Sequence, residues 1–243
     1  MIQHPWPGRS DNASGWFTRR TALKAAAALV AANVLPLALA QQRTNLVDLR
    51  GDALLNGSRL QTGSTVQTGD TVQTGPGSRV IFTMGNAAFL VRENTFMAVE
   101  RGATLNTVSL LRLMAGAVAS VWQPGSNAAL LTPTLTASLQ ANGVAGNGVY
   151  AEVLPGPGRR TYVCNCYGTL ALNVSGLQRE SLSDYHQCFF AEASPRDGRL
   201  LTPAALGRHA DEEMEGLAAL VGQRTAWQMR GRKGVPDGSG LSS

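Results

Sequence analysis

Residues 61–75 read QTGSTVQTGDTVQTG, in which Gln-Thr-Gly recurs at Gln61, Gln67 and Gln73, a step of six. Thr and Val favour strands, while glycine accepts a positive φ without steric cost and marks a bend. Gly63, Gly69 and Gly75 are therefore the expected bending points. A hexapeptide β-helix needs at least three stacked repeats of a whole unit. Residues 61–75 are too few for that, so they point to a short twisted sheet or a β-roll of one or two turns.

The flanking sequence carries the same grammar from Leu46 to about Leu172. Short apolar runs such as Val80-Ile81-Phe82, Phe89-Leu90-Val91 and Val121-Trp122 alternate with turn signals at Asn56-Gly57, Gly69-Asp70, Gly75-Pro76-Gly77, Gly85-Asn86, Pro124-Gly125 and Thr132-Pro133. Strands of about five residues at spacings of about 8–12 predict an all-β unit. A helix is expected after it. Thr202-Pro203 reads as a cap followed by a first-turn proline, and Ala210, Met214, Leu217 and Val221 follow at helical spacing. Asp211, Glu212, Glu213 and Glu215 suit a solvated helix start, closed by Gly222 and Arg224. Residues 230–243 read as a flexible tail.

The motif set around residues 56–78 resembles the FecR domain family. Asn56-Gly57-Ser58-Arg59-Leu60, Gly63, Gly69-Asp70-Thr71-Val72-Gln73-Thr74-Gly75 and Ser78 follow that family's spacing. The resemblance continues through Phe89-Leu90-Val91-Arg92-Glu93-Asn94-Thr95, Leu113, Gly116-Ala117-Val118, Thr132-Pro133 and residues 143–150, and covers about residues 47–153. Ala145-Gly146-Asn147 stands where the family has Arg-Gly-Thr. The resemblance implies a periplasmic, mainly β, short antiparallel roll or solenoid-like domain (46–153). Such domains act in recognition of a protein or envelope component, without catalysis. It does not imply sigma-factor control. The family's signalling members carry a cytoplasmic helical segment and a membrane span ahead of the domain, where this chain has an export signal.

That signal occupies residues 1–40. Arg19-Arg20 precedes Leu23-Lys24, an alanine-rich apolar run and Ala38-Leu39-Ala40. A charged region, a short apolar region and a small-residue cleavage site make a signal peptide, and the arginine pair makes it a twin-arginine one. Cleavage is expected after Ala40, with release into the periplasm. The alternative is an uncleaved anchor. Removing residues 1–40 takes 21 basic and 16 acidic side chains to 17 and 15, a net of +2. No basic run is interleaved with aromatics, so nucleic-acid binding is not expected.

The chemistry-bearing residues lie in a segment expected at 158–225. The chain has three Cys, namely Cys164, Cys166 and Cys188, and His186 and His209 follow among them. Residues i and i+2 of a strand face the same side, so Cys164 and Cys166 project together. With His186 and His209 they make a complete tetrahedral ligand set for zinc, and one suited to copper. This gives the alternative function, a metal-binding or redox-sensing periplasmic protein. Two other readings stand beside it. An oxidising compartment favours a disulfide, pairing Cys188 with Cys166 or with Cys164 and leaving one thiol over, or the thiols are simply small buried hydrophobes. No Gly-x-Ser-x-Gly, His-Glu-x-x-His or Walker motif is present. Gly143, Gly146 and Gly148 reverse the dinucleotide fingerprint and read as a turn, so no enzyme is expected.

Overall fold

The computed structural model describes residues 44–101, 107–141, 144–156 and 159–231. The signal-peptide residues Arg19, Arg20, Ala38 and Ala40 and the 232–243 tail lie outside them. The described residues hold fifteen strands and two short helices. The strands are β1 (Leu46–Arg50), β2 (Ala53–Leu55), β3 (Ser58–Arg59), β4 (Thr71–Thr74), β5 (Arg79–Met84), β6 (Ala87–Val91), β7 (Phe96–Arg101), β8 (Val108–Trp122), β9 (Ala129–Leu131), β10 (Thr136–Leu139), β11 (Asn147–Val153), β12 (Thr161–Val174), β13 (Leu177–Ser183), β14 (Gln187–Arg196) and β15 (Arg199–Ala204). The helices are α1 (Asp211–Leu220) and α2 (Ala226–Arg230). All pairings are antiparallel except β8 with β9.

The opening repeat resolves into two copies of one local burial pattern. Val66 and Thr68 are buried around an exposed Gln67, and Val72 and Thr74 repeat this around an exposed Gln73. Only the second copy is a regular strand, β4. The first is held by Asn45, whose side chain bonds both backbone groups of Val66. Of the three expected bending glycines only Gly69 adopts a positive φ, +99°. Gly63 and Gly75 turn the chain within the ordinary backbone range.

Two long strands create the layered architecture. The first half of β8 pairs with β7 and β9, and its second half pairs with β6 and β11. Strand β12 does the reverse, pairing first with β11 and β14 and then with β10 and β13. Both strands bend where they change partners, at Gly116 (φ +76°) and Gly168 (φ +95°). A Cβ on Gly116 would lie 2.5 Å from the Thr95 Cα and 2.6 Å from the Asn94 carbonyl oxygen. The corner therefore requires glycine for both its φ and its closeness to the neighbouring backbone.

The layers bury two cores. Val80, Phe82, Phe89, Val91, Val118, Trp122, Val149, Val163 and Phe189 point inward against Val72, Met97, Leu111 and Leu113 of the other layer. Strand alternation sends the intervening residues outward. Ala88, Leu90, Ala119, Val121, Tyr150, Tyr162, Cys164, Cys166 and Cys188 form the second core with Met214, Leu217 and Trp227 of the helices. A sheet with both faces covered explains why β6 is buried at all five positions.

Three sequence expectations change. The strands do not stop near Leu172 but run on to Ala204, through hairpins at Ser175-Gly176 (φ 48° and 89°) and Asp197-Gly198 (φ 49° and 76°). Both are two-residue turns with paired positive φ, and Ser-Gly and Asp-Gly are their sequence signals. Thr202-Pro203 is therefore not a helix cap. It lies in β15, which pairs with β14 alone, and a proline is tolerated on such an edge. The helix starts at Asp211, with Met214, Leu217 and Ala218 buried. The second helix, α2, was legible in Thr225-x-x-Gln228. The Thr225 hydroxyl accepts from the Gln228 N–H, and the Gln228 side chain accepts from the Thr225 N–H. Gly148, read as part of a turn, lies inside β11 against the Tyr167 ring.

Candidate metal centre

Cys164 and Cys166 project from the outer face of β12 into the second core, both fully buried. His186 ends the turn between β13 and β14. Its φ of +40° is rare for a residue with a side chain, and the turn is held by its N–H donating to the Cys166 carbonyl at 2.9 Å. This conformation turns the imidazole back over the strand, leaving its side chain 1% exposed. His209 comes from the opposite side, two residues ahead of α1.

The four groups converge. The Cys166 Sγ lies 3.2 Å from His209 Nε2, the Cys164 Sγ 3.7 Å from His186 Nδ1, and the two ring nitrogens 3.1 Å apart. All four ligand atoms fall within 4.8 Å of one another. With zinc bonds of about 2.0–2.1 Å to nitrogen and 2.3 Å to sulfur, the edges of a tetrahedral Cys2His2 site measure about 3.3–3.8 Å. The three separations of 3.1, 3.2 and 3.7 Å fall near those edges, and the remaining pairs lie within 4.8 Å. All four residues expected from the sequence are thus brought together.

The surroundings orient the ligands. His186 Nε2 donates to Asp211 Oδ1 at 2.9 Å, which leaves Nδ1 as the lone-pair nitrogen facing the sulfurs. Asp211 also accepts from the Tyr185 hydroxyl at 3.0 Å. Tyr150 stacks on His209 with ring centroids 4.6 Å apart, and Trp227 covers His186 at 5.0 Å. The Trp227 Nε1–H donates to Glu215 at 2.8 Å, tying α2 to α1. Arg92 clamps Glu213 through two bonds of 2.6 and 2.7 Å, fixing the helix start to the sheet.

Burial sets the protonation of the set. Desolvation pushes His209 down to about 3, helped by neighbouring His186 and Arg92. It also lowers His186, against the opposing pull of Asp211. Burial holds the Cys166 thiol well above its ordinary range and pushes Tyr162 up to about 12. Both imidazoles are neutral at pH 7, the state a metal ligand requires.

Cys164 also has a second partner. It is disulfide-bonded to Cys188, which lies directly across the β12–β14 register, while Cys166 is a free, buried thiol. Of the two pairings the sequence leaves open, Cys188 with Cys166 or with Cys164, the structure has the second and not Cys166–Cys188. Cys166 lies beyond the last β12–β14 pair, Asn165 with Gln187.

Sequence reasoning missed Asp211, Tyr185 and Trp227 as parts of the site. Asp211 carries no signal apart from its closeness to His209, and by sequence it reads as one of the solvated acids of the helix start. Trp227 could have been found through the Thr225–Gln228 cap.

No family model matches the chain, and no curated protein does. Solved structures resembling it include two crystal structures, at 2.50 and 1.65 Å, of a protein assigned as an anti-sigma factor from Parabacteroides distasonis ATCC 8503. Identity is 10% in both, with TM-scores of 0.45 and 0.44. The matches cover 57% and 55% of this chain and 60% and 58% of those chains. No described helix is long and apolar enough to cross a membrane.

Proposed function

We propose that this protein is an exported, FecR-like β module that binds zinc or copper through Cys164, Cys166, His186 and His209. The carrying observation is the convergence of these four side chains to within 4.8 Å in a buried core. A full set of four protein ligands, walled by Tyr150, Tyr185 and Trp227, leaves no open coordination position for a substrate. It suits a structural or sensing metal rather than a catalytic one. The arginine pair of the leader and the Cys164–Cys188 disulfide support work in the periplasm. The ligand set needs Cys164 as a thiolate, so the test uses reduced protein. Elemental analysis after anaerobic purification with a phosphine reductant should give about one equivalent of metal per chain, lost in a Cys164→Ser/Cys166→Ser variant. Metal-free reduced wild type that also takes up neither ion on titration would refute the reading.

Recognition of a protein or envelope partner is the second reading. Val144, Leu182 and Met229 are 91%, 71% and 48% exposed and line one cleft of about 270 Å3. Exposed apolar groups gathered at one place favour an interaction surface. Cross-linking in the exporting cell should give a discrete adduct that a Val144→Asp/Leu182→Asp variant of unchanged Tm loses. An unchanged adduct pattern would discard this surface.

A further inference from the structure

We propose that the Cys164–Cys188 disulfide is a redox latch on the metal centre, so that Cys164 serves either Cys188 or the metal but never both. This inference rests on the metal-binding reading and adds its regulation. One sulfur is claimed twice. The Cys164 Sγ belongs to the four-atom ligand set and also to the disulfide. A sulfur in a disulfide carries no thiolate charge, and the thiolate is the metal ligand. In the latched form only Cys166, His186 and His209 remain as ligands.

The fold is built to survive opening of the latch. Strands β12, β13 and β14 already close the 24-residue separation between the two cysteines by backbone pairing. Register pairs from Thr161 with Ala191 to Asn165 with Gln187 hold the same two strands. Breaking the sulfur–sulfur bond therefore asks for side-chain rotation and no rearrangement of the sheet. The free thiol of Cys166 fits the same account. It lies one strand period from Cys164, on the same face, and 3.2 Å from His209 Nε2, where a latch-and-ligand scheme needs a second sulfur and a purely structural disulfide has no use for one.

The unlatching step is thiol–disulfide exchange with a dithiol reductant. A reductant thiolate attacks the Cys188 Sγ, since Cys188 is 5% exposed and Cys164 is fully buried. The sulfur–sulfur bond breaks and Cys164 leaves as a thiolate. The second thiol of the reductant, as its thiolate, then attacks the mixed disulfide, releasing Cys188 as a thiol after protonation. The reductant leaves as its own disulfide, having supplied two electrons. A divalent metal ion takes the Cys164 thiolate, and Cys166 gives up its proton to solvent on joining it. In reverse, a bound metal occupies Cys164 and protects it from pairing with Cys188.

Anaerobic titration with Co2+, followed by the near-ultraviolet thiolate-to-cobalt band and by Zn2+ competition, tests the latch. Oxidised wild type should bind at least ~100-fold more weakly than protein reduced with a phosphine, the scale expected when a site loses more than an outer-shell contact. Cys188→Ser should bind tightly with or without reductant. Zn2+-loaded wild type should keep all three thiols through treatment with a thiol oxidant, while the reduced metal-free form should fall to one. Equal affinity of oxidised and reduced wild type would overturn the latch alone. Failure of both reduced wild type and folded Cys188→Ser to bind would overturn the metal reading beneath it. Should Cys188→Ser not fold by circular dichroism, the comparison within wild type still decides.

Discussion

Replacing Asp211 by Asn tests the orientation of the site with almost no change in volume. Asp211 is 12% exposed in its side chain and accepts two hydrogen bonds, from His186 Nε2 at 2.9 Å and from the Tyr185 hydroxyl at 3.0 Å. A carboxylate has two acceptor oxygens, whereas an amide has one oxygen and one NH2 group. Asn can therefore accept from His186 alone, and the Tyr185 hydroxyl must turn to accept from the amide. Exchanging two charge-assisted bonds for neutral ones costs about 1–3 kcal/mol. For a domain of this size, that lowers Tm by roughly 2–12 °C. The same change removes the charge that orients His186 and strengthens its Nδ1 as a ligand. An outer-shell loss of this kind weakens metal binding about 10–100-fold, or about 1.4–2.7 kcal/mol. Differential scanning calorimetry of the metal-free protein and Zn2+ competition of the reduced protein read the two effects separately. A variant within about 1 °C of wild type and within about threefold in affinity, well short of these ranges, would show that Asp211 is not the group that aims His186.

Other consequences follow from the same geometry. Burial depresses His209 to about 3, so the unfolded chain, with its ordinary value near 6.5, binds the extra proton first as pH falls. Stability of the metal-free protein is then complete above pH 6.5 and should fall by about 2 kcal/mol between pH 6.5 and 5, before most carboxylates titrate. Urea melts should show this slope and a clearly shallower one in His209→Gln, where the lowered His186 still contributes; an equal slope in both would refute the assignment. Gly116→Ala should destabilise by at least ~2 kcal/mol, because the new Cβ meets the Thr95 and Asn94 backbone at a positive φ. A chemical melt within error of wild type would remove the corner argument. Trp227→Ala should cost about 3–5 kcal/mol and loosen the cover over His186, seen as faster metal loss to a chelator. An unchanged loss rate would show that Trp227 does not guard the site. Arg19→Lys/Arg20→Lys should retain precursor in the cytoplasm, read by fractionation, and normal export would reject the twin-arginine route.

The turn chemistry was legible because it is local. Asn56-Gly57 is a two-residue hairpin with φ values of 52° and 79°, as that dipeptide demands. The alternation that buries Val66, Thr68, Val72 and Thr74 is likewise a property of neighbouring residues. The same reasoning broke off early at Leu172, although Ser175-Gly176 and Asp197-Gly198 carried the same signal. It misread Thr202-Pro203, because a proline that starts a helix and a proline on an edge strand look alike until the neighbouring strand is known.

The sequence by itself determined that the chain is a glycine-cornered β protein and that Cys164 and Cys166 share a face, since strand geometry repeats every two residues whatever surrounds it. Tertiary structure decided where that face points and what meets it. His186 and His209 lie 22 and 43 residues from their sulfur partners, and Asp211 reaches His186 from another element. No local periodicity spans such distances. They were set by the packing of α1 and α2 over the outer sheet face, where a second core had to be buried and drew the imidazoles in with it.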